Sequence, residues 1–359
     1  GAIKSKIGER FLDLRVSSLP TNNAEKIVIR ILDYSMSLAG LDNLGFSEDA
    51  MEKINRLIKI PNGIILVTGA TGTGKSTTLY SILQKLNTEA VNIITVEDPV
   101  EMDIEGINQV QTQSEIGLTF ATILRSILRQ DPNIIMIGEI RDDETARIAV
   151  RASITGHLVL SSLHTNNSLN TIERLTDMDV ERYLLGSSLE GIISQRLARK
   201  VCPECSIKRP TTDYERQVFK TVLGKDVLEM VVANKEGCPK CTHGYKGRLA
   251  ILEVLVMNEQ IKDAITNGAN KNTLRELVYT GDVVTLLQDG LNKVVLGETT
   301  FEEILKIVDL ENDMTQYNDD NLKTNLKMAQ QAHKVDNKTN DKPITSNITS
   351  EFKIEKTNN

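Results

Sequence analysis

The chain has 359 residues, with 42 basic and 49 acidic side chains, and its formal net charge is −7 at pH 7. Hydrophobic residues make up 40% and charged residues 25%, the composition of an ordinary globular protein with room for two or three domains. The acidic balance argues against a nucleic-acid-binding protein, because such proteins usually carry an excess of basic side chains. No apolar run approaches the roughly 20 residues of a membrane-spanning helix, so we expect a cytoplasmic protein.

The first residues predict part of a small domain. Residues 11–16 alternate imperfectly between apolar and polar, residues 26–32 are rich in β-branched side chains, and a turn-rich segment at 19–23 joins them. Two strands alone are marginal in water, so we expect a longer parent protein to supply the rest of this domain, of which 1–38 is the C-terminal part. Residues 39–46, with two glycines, are predicted to be a linker.

From about residue 47 the pattern becomes one of alternating strands and helices. Continuous apolar runs bounded by turn residues, with helical stretches between them, predict an α/β core with a mainly parallel sheet covered on both faces. The core is predicted to occupy 47–200, with strands at 64–67, 93–96, 134–137 and 158–160 and helices at 118–129 and 144–153.

A phosphate-binding loop follows the first of these strands. Its eight residues fit G-x-x-x-x-G-K-[ST] and are Gly69, Ala70, Thr71, Gly72, Thr73, Gly74, Lys75 and Ser76. Glycines let successive backbone N–H groups point at phosphates, and the following helix, which includes Thr77, adds partial positive charge. Lys75 is predicted to contact the β/γ-phosphates of ATP, and the Ser76 hydroxyl to bind Mg²⁺. The alternative is a chance match, which the flanking strand and helix make a poor one.

Carboxylates stand at the ends of two other predicted strands. Glu139 follows the strand 134–137 after Gly138, where many such strands carry an aspartate, and Glu97, Asp98 and Glu101 follow the strand 93–96. Ligands of open α/β sheets lie at the carboxyl ends of the strands. Glu139 is therefore predicted to bind Mg²⁺, Glu97 or Glu139 to orient water, and the other two carboxylates to help bind the nucleotide. The alternative is that each merely faces solvent, and spacing alone does not say which one positions the water.

Two of the four histidines, His157 and His164, flank the predicted strand 158–160. A histidine at this place can contact the γ-phosphate or relay its loss to a neighbouring subunit. The alternative is that one or both are hydrogen-bonded structural residues, and the sequence does not decide between the two.

The cysteines form two C-x₂-C pairs, each with proline after the first cysteine, and the four are Cys202, Cys205, Cys238 and Cys241. Four thiolates suit tetrahedral Zn²⁺, so residues 201–246 are predicted to form a structural zinc element. The alternative is free thiols or a redox pair, and the nearby His243 is an unneeded fifth candidate. Residues 247–310 are predicted to be a helical subdomain, and the polar residues 311–359 a disordered tail.

Taken together, these motifs resemble the secretion ATPases that power type II secretion and type IV pilus assembly. The resemblance runs from about residue 11 to residue 308. In chain order it covers 15–21, 25–30, the Walker A loop, an aspartate box at 94–101, residues 128–133, an atypical Walker B ending at 138–142, and a histidine box around the two histidines. Ala24 departs from the family, which usually has glycine there. The tetracysteine element is typical of assembly and secretion members, whereas the retraction ATPases generally lack it.

The resemblance implies a RecA-like core behind part of a PAS-like domain, in a homo-hexameric ring with ATP at subunit interfaces. It also implies that Arg15 and Arg30 reach the nucleotide, where a guanidinium neutralises developing phosphoryl charge. The alternative is that both are merely exposed on strands; Arg125 and Arg129 are weaker phosphate-sensor candidates. The implied partners are an inner-membrane platform protein and a membrane-linked recruiting protein, at the cytoplasmic face of the membrane.

The predicted function is an ATPase that drives assembly of type IV pilus or type II secretion pseudopilus fibres. One alternative is a retraction or conjugation-type ATPase, which the cysteines argue against. Another is a nucleic-acid translocase, which the acidic balance argues against. A third is a silent scaffold, which the intact Lys75, Ser76 and Glu139 argue against. The sequence does not separate pilus assembly from type II secretion, because both use the same engine.

Overall fold

The computed structural model describes residues 1–7, 10–33, 40–308 and 324. The strands are β1 (Ala2–Ile7), β2 (Arg10–Pro20), β3 (Glu25–Asp33), β4 (Gly63–Thr68), β5 (Ile93–Glu97), β6 (Asn108–Gln111), β7 (Ile134–Ile137), β8 (Leu158–Leu163), β9 (Leu189–Val201), β10 (Ile207–Pro210), β11 (Glu229–Val232) and β12 (Tyr245–Val256). The helices are α1 (Glu48–Leu57), α2 (Lys75–Leu86), α3 (Phe120–Ile127), α4 (Asp143–Ile154), α5 (Ser168–Asp177), α6 (Arg182–Ser188), α7 (Asp213–Leu223), α8 (Glu259–Thr266), α9 (Lys271–Tyr279), α10 (Leu286–Val295) and α11 (Phe301–Ile307).

A seven-stranded sheet in the order β12-β9-β4-β8-β7-β5-β6 forms the centre of the protein. Its strands pair in parallel from β9 to β6, and only the edge strand β12 runs antiparallel to its neighbour. Every residue of β4, β5, β7 and β8 is buried, as expected for strands covered on both faces. The predicted α/β core with a mainly parallel sheet is confirmed, and the four predicted strands correspond to these four.

Two hydrophobic clusters cover the two faces of this sheet. Because side chains alternate along a strand, Ile64 and Leu66 of β4 belong to one cluster, whereas Ile65 and Val67 belong to the other. The first cluster includes side chains of α3 to α6, α8 and α9, and the second those of α1 and α2. Each fully buried aliphatic side chain stabilises the fold by about 1.5–3 kcal/mol relative to exposure. This two-sided packing fixes the carboxyl ends of the parallel strands along one edge.

The strands β9 and β12 were not predicted. β12 occupies 245–256, so the prediction of a helical subdomain at 247–310 was wrong at its start. Five of the seven residues 249–255 are Leu, Ala or Glu, which are good helix formers, but the open side of β9 pairs with β12 at ten positions. The helices expected beyond residue 259 are present as α8 to α11.

A third hydrophobic cluster joins the end of the chain to the region between the cysteine pairs. Phe219 of α7 and Phe301 of α11 pack against each other with ring centroids 5.7 Å apart. The two-stranded sheet of β10 and β11 contributes Met230 to the same cluster. The helix bracketed by the cysteine pairs is thus held by the C-terminal helices rather than by the cysteines alone.

The N-terminal residues form a three-stranded antiparallel sheet in the order β1-β2-β3. The predicted hairpin corresponds to β2 and β3, and β1 is an additional strand. The predicted linker is packed from residue 40 onward, because Leu41 is only 2% exposed and Lys293 Nζ donates to the Gly45 carbonyl at 3.0 Å. The predicted disordered tail, apart from residue 324, lies outside the described residues. Among the helices that are described, none is long and apolar enough to cross a membrane.

Candidate active site

The glycine-rich loop 69–76 connects β4 to α2 at the carboxyl edge of the parallel sheet. Gly72 and Gly74 adopt positive φ values of 81° and 88°, which favour glycine. A Cβ on Gly69 would lie 2.6 Å from the Gln195 carbonyl oxygen, and one on Gly74 would lie 2.8 Å from Gln195 Nε2. The close approach of β9 therefore requires glycine at both positions, so the loop backbone curls against the sheet.

Lys75 begins α2 with its side chain folded back over the loop. Its Nζ donates to the carbonyls of Gly69 and Ala70 at 2.9 and 3.2 Å. Burial lowers the pKa of Lys75; the negative charge of Glu139 opposes this effect and the positive charge of Arg196 adds to it. The next residue, Ser76, is exposed in the first turn of the helix, where backbone N–H groups have no partner within the helix. An ammonium group, a hydroxyl and a helix N-terminus thus meet at one place.

Gln195 of β9 holds this loop, and the sequence analysis missed it. The residue is 2% exposed, its Nε2 donates to the Thr73 carbonyl at 2.8 Å, and its Oε1 accepts from Thr78 Oγ1 at 2.7 Å. A buried amide needs such partners, because an unpaired one is costly. A glutamine between apolar residues 193 and 197 was the available signal, and it becomes informative only once β9 is recognised.

Glu139 lies two residues beyond the end of β7, at the same edge of the sheet as the loop. Its Oε1 accepts from Arg141, and its Oε2 lies 3.1 Å from His164 Nε2. Arg141 also donates to Asp98 Oδ2 at 3.1 Å, so one guanidinium bridges the two predicted acidic motifs. Burial tends to raise the pKa of Glu139, but hydrogen bonds and charges of Arg141 and His164 outweigh it, and the net shift is downward. Glu139 is therefore an ionised carboxylate near Lys75.

Glu97 occupies a different environment. It is only 4% exposed, and its Oε1 accepts from Thr95 Oγ1 at 2.6 Å and from Gln109 Nε2 at 3.1 Å. Its Oε2 accepts from the buried Tyr80 hydroxyl, which in turn accepts from the Glu101 amide at 3.1 Å. Burial and the neighbouring carboxylate raise the pKa of Tyr80. Glu97 is thus enclosed in the interior, whereas the side chain of Glu139 is 19% exposed, which favours Glu139 as the carboxylate facing a substrate.

The two predicted N-terminal arginines are cross-strand neighbours. Arg15 of β2 lies directly opposite Arg30 of β3, so both side chains project from the same face of that sheet. Arg15 forms an ion pair with Glu101 of the aspartate box. The structure therefore brings the N-terminal sheet to the acidic motif that follows β5. Arg30 is exposed.

The weaker arginine candidates lie on α3 and its C-terminal end. Arg125 pairs with Glu144 of α4, and Arg129 donates to the Arg125 carbonyl at 2.7 Å and to Ser126 Oγ at 3.3 Å. These contacts link α3 with α4 and satisfy its last turn. Within this chain they serve the packing of two helices.

The two histidines lie at opposite ends of β8. His164 follows its carboxyl end and contacts Glu139, whereas His157 precedes its amino end. His157 Nδ1 lies 2.8 Å from the Ala152 carbonyl at the end of α4, and its backbone carbonyl accepts from Gly63 N–H at 3.2 Å. A six-residue strand separates them by about 20 Å. Of these two histidines, His164 belongs to the edge that carries the glycine-rich loop.

The four cysteines form one cluster in which all sulfur atoms lie within 4.8 Å of one another. Three of the Sγ–Sγ distances are 3.6, 3.7 and 3.8 Å, far longer than the roughly 2.05 Å of a disulfide. A tetrahedron with metal–sulfur distances of about 2.3 Å has edges of about 3.8 Å. The sulfur positions therefore fit a tetrahedral thiolate metal centre, and His243 is not part of the cluster.

Residues 1–306 match the family described as "Type II/IV secretion system protein". The type II secretion system protein E of Pectobacterium carotovorum is 45% identical over 308 residues, covering 86% of this chain and 61% of that protein. The type II secretion system ATPase E of Vibrio cholerae is 44% identical, covering 86% of this chain and 60% of that protein. The chain thus spans about three fifths of the length of these curated relatives.

Among solved structures, the pilus retraction motor PilT with bound ADP is 28% identical, with a TM-score of 0.62 over 86% of this chain and 77% of that one. Its similarity agrees with the α/β architecture found here. The resemblance seen in the motifs is confirmed. Because the family match extends over residues 1–306 and the motifs of this chain meet at one sheet edge, the chain belongs to the type II/IV secretion system protein family.

Proposed function

We propose that the chain binds Mg²⁺·ATP at loop 69–76 and hydrolyses it to ADP and phosphate. One observation carries the proposal. Lys75, held inside a loop of curled backbone, and the ionised Glu139 lie at the same sheet edge, close enough for the charge of Glu139 to act on the pKa of Lys75. A 44% identical relative named an ATPase adds support. In such a site the loop amides and Lys75 would bind the β/γ-phosphates, with Thr77 and Asp98 nearby.

The oxygen ligands at this edge suit Mg²⁺, which prefers hydroxyl, carboxylate and water oxygens. The exposed Ser76 hydroxyl and a Glu139 oxygen would hold the ion, and the bound metal would neutralise charge on the phosphate oxygens. Because its lowered pKa keeps Glu139 ionised at neutral pH, the same carboxylate can orient a water molecule. Glu97, which is buried, would instead fix the aspartate box.

The arginines of the N-terminal sheet would complete the nucleotide-binding site. Arg15 already pairs with Glu101, and Arg30 lies beside it on the same face. A guanidinium that leaves a carboxylate for a phosphate would couple nucleotide binding to movement of this sheet. His164, in contact with Glu139, would sense the γ-phosphate, and we assign His157 a structural role.

The cysteine cluster would hold one structural Zn²⁺. Four thiolates leave no open position for a substrate, and the cluster ties the turn at 202–205 to the turn at 238–241. We propose a zinc element at 201–246 between the core and the C-terminal helices, with most of β12 reassigned to the core. The other predicted domain boundaries are retained.

At the level of the assembled machine, we propose a homo-hexamer at the cytoplasmic face of the inner membrane that works on a membrane platform protein, with a recruiting protein as its link. The names of the relatives favour type II secretion. The likeness to a retraction motor keeps retraction as the second candidate. The thiolate cluster, which the retraction members generally lack, favours the first.

Phosphate release from ATP tests the proposed activity. Wild-type chain should hydrolyse Mg²⁺·ATP, and Lys75→Ala and Glu139→Gln should each reduce kcat by at least 100-fold. The matched control Lys59→Ala changes a lysine just after α1, outside this edge, and should behave as wild type. A Lys75→Ala protein that releases phosphate as fast as wild type would overturn the proposal. Unchanged hydrolysis on addition of DNA would count further against a translocase.

A further inference from the structure

Glu253 of β12 is a fully buried carboxyl group that the proposed hydrolysis does not use. Its Oε1 accepts a 2.9 Å hydrogen bond from the backbone N–H of Ser168, the first residue of α5. The register partner of Glu253 on β9 is Ser194, whose Oγ lies 3.0 Å from Thr68 Oγ1 and 3.3 Å from Ser168 Oγ. A continuous set of hydrogen bonds therefore runs from the end of β4, next to the glycine-rich loop, to the start of α5.

Arg196 acts on the same segment from β9. The residue is 9% exposed, and its guanidinium donates to the Asn166 carbonyl at 2.7 Å and to Asn166 Oδ1 at 3.2 Å. Burial raises the pKa of Glu253, while the Ser168 amide and the positive charge of Arg196 act in the opposite direction. Arg196 thus binds residue 166 and Glu253 binds residue 168, at the end of the loop that joins β8 to α5.

That loop carries His164, whose Nε2 lies 3.1 Å from Glu139 Oε2. Only one residue separates His164 from the Asn166 held by Arg196. Displacing a site group by about 1 Å can reduce a rate roughly 100-fold, so the placement of this segment matters for any chemistry at Glu139.

We propose that Glu253 and Arg196 are positioning residues that fix the loop 164–168 against Glu139. The inference rests on the proposed ATPase activity for its kinetic consequence, but the placement of the loop can be measured without it. A purely structural role would weaken the whole fold. A positioning role changes this loop and the chemical step.

Hydrogen exchange of the backbone amides of 164–168 at pH 8 tests the placement directly. Glu253→Leu removes the acceptor of the Ser168 N–H while keeping a similar volume. The matched control is Asp289→Leu, because Asp289 is also buried and its Oδ2 accepts from the neighbouring Leu252 N–H at 2.9 Å. We expect exchange in 164–168 to rise at least tenfold in Glu253→Leu and to stay at the wild-type rate in Asp289→Leu. Equal rates in the two variants would overturn the proposal.

Ser168→Pro serves if Glu253→Leu does not fold. It breaks the same hydrogen bond from the other side, at the first helical position, where proline is well tolerated. Faster exchange of 164–167 supports the proposal, and wild-type exchange overturns it.

Kinetics then separate positioning from general destabilisation. We expect Glu253→Leu, or Ser168→Pro if the former does not fold, to have about tenfold lower kcat with KM within twofold of wild type. Combining that substitution with His164→Ala should lower kcat no more than His164→Ala alone, because both act through one loop. Fully additive losses would overturn the proposal. A wild-type chain that releases no phosphate would remove the proposed function, while the exchange result would still decide the placement.

Discussion

The replacement of Gln195 by leucine tests whether β9 shapes the nucleotide loop. Leucine keeps much of the side-chain volume but removes the Nε2 donor of the Thr73 carbonyl and the Oε1 acceptor of the Thr78 hydroxyl. The Thr78 hydroxyl can turn to a carbonyl of its own helix, as threonine in helices commonly does. The Thr73 carbonyl lies in the loop itself, so we assign the main cost to it.

An unsatisfied buried acceptor costs about 1–3 kcal/mol. If this cost falls on the loop conformation that binds phosphate, Mg²⁺·ATP affinity should fall by about tenfold, and by as much as 100-fold at the upper end. Thr78→Val removes only the hydroxyl and should weaken binding by threefold or less. Isothermal titration calorimetry of the wild type and both variants measures these differences.

Gln288→Leu is the matched control for the loss of a glutamine. Gln288 also makes a hydrogen bond through its amide, accepting from the Thr285 N–H at 3.0 Å, but it caps α10 far along the chain from the loop. It should lower stability slightly and leave nucleotide affinity unchanged. Wild-type affinity in Gln195→Leu would refute the idea that this side chain sets the loop conformation.

Two further predictions concern stability. Glu303 accepts from Arg199 Nε at 2.8 Å and lies 3.0 Å from Lys306 Nζ; burial alone would raise its pKa, but these cations lower it. A carboxyl group with a lowered pKa in the folded state stabilises the fold above its unfolded pKa, and this stability is lost as the pH falls through the folded pKa. In urea titrations, Glu303→Gln should therefore lower the free energy of unfolding by about 2 kcal/mol at pH 7, and by progressively less below about pH 4. Equal losses at pH 7 and pH 3 would contradict this. For the cysteines, mass spectrometry under native conditions should find one Zn²⁺ per chain. Cys238→Ser should release the zinc and lower the melting temperature by several degrees, whereas the control Ser206→Ala should do neither. A melting temperature unchanged by zinc removal would refute a structural metal.

The sequence was most informative where chemistry and local structure agree. The glycines and lysine of loop 69–76 are needed by the phosphates and by the turn alike, so one pattern predicts both the motif and the strand–loop–helix around it. The strands β4, β5, β7 and β8 were predicted from their apolar runs, because strands buried on both faces need continuous apolar residues. The two cysteine pairs were informative for the same reason, since their spacing reflects the geometry of a tetrahedral centre.

The sequence was least informative where a residue serves a distant one. Glu97 and Glu139 look alike as strand-end carboxylates, but Glu97 is buried against the Tyr80 hydroxyl, whereas Glu139 is partly exposed. His157 and His164 flank the same strand, β8, but the carboxyl end of β8, where His164 lies, is the end at the sheet edge that carries the glycine-rich loop. Such differences arise from packing between segments many residues apart, which no local pattern records.

The candidate site depends strongly on β9, a strand that was not predicted from the sequence. Successive side chains of β9 point to opposite faces, so Gln195 reaches the glycine-rich loop on the α2 side while Arg196 reaches Asn166 on the α5 side. Polar residues at these positions interrupt the apolar run that would have marked a buried strand, and they do so because each face must hold a different loop. If this is correct, exchanging the two residues as Gln195→Arg with Arg196→Gln should preserve composition yet abolish both nucleotide binding and the protection of 164–168. Retention of either property by the double variant, measured by calorimetry and hydrogen exchange, would show that the two faces are not specified independently.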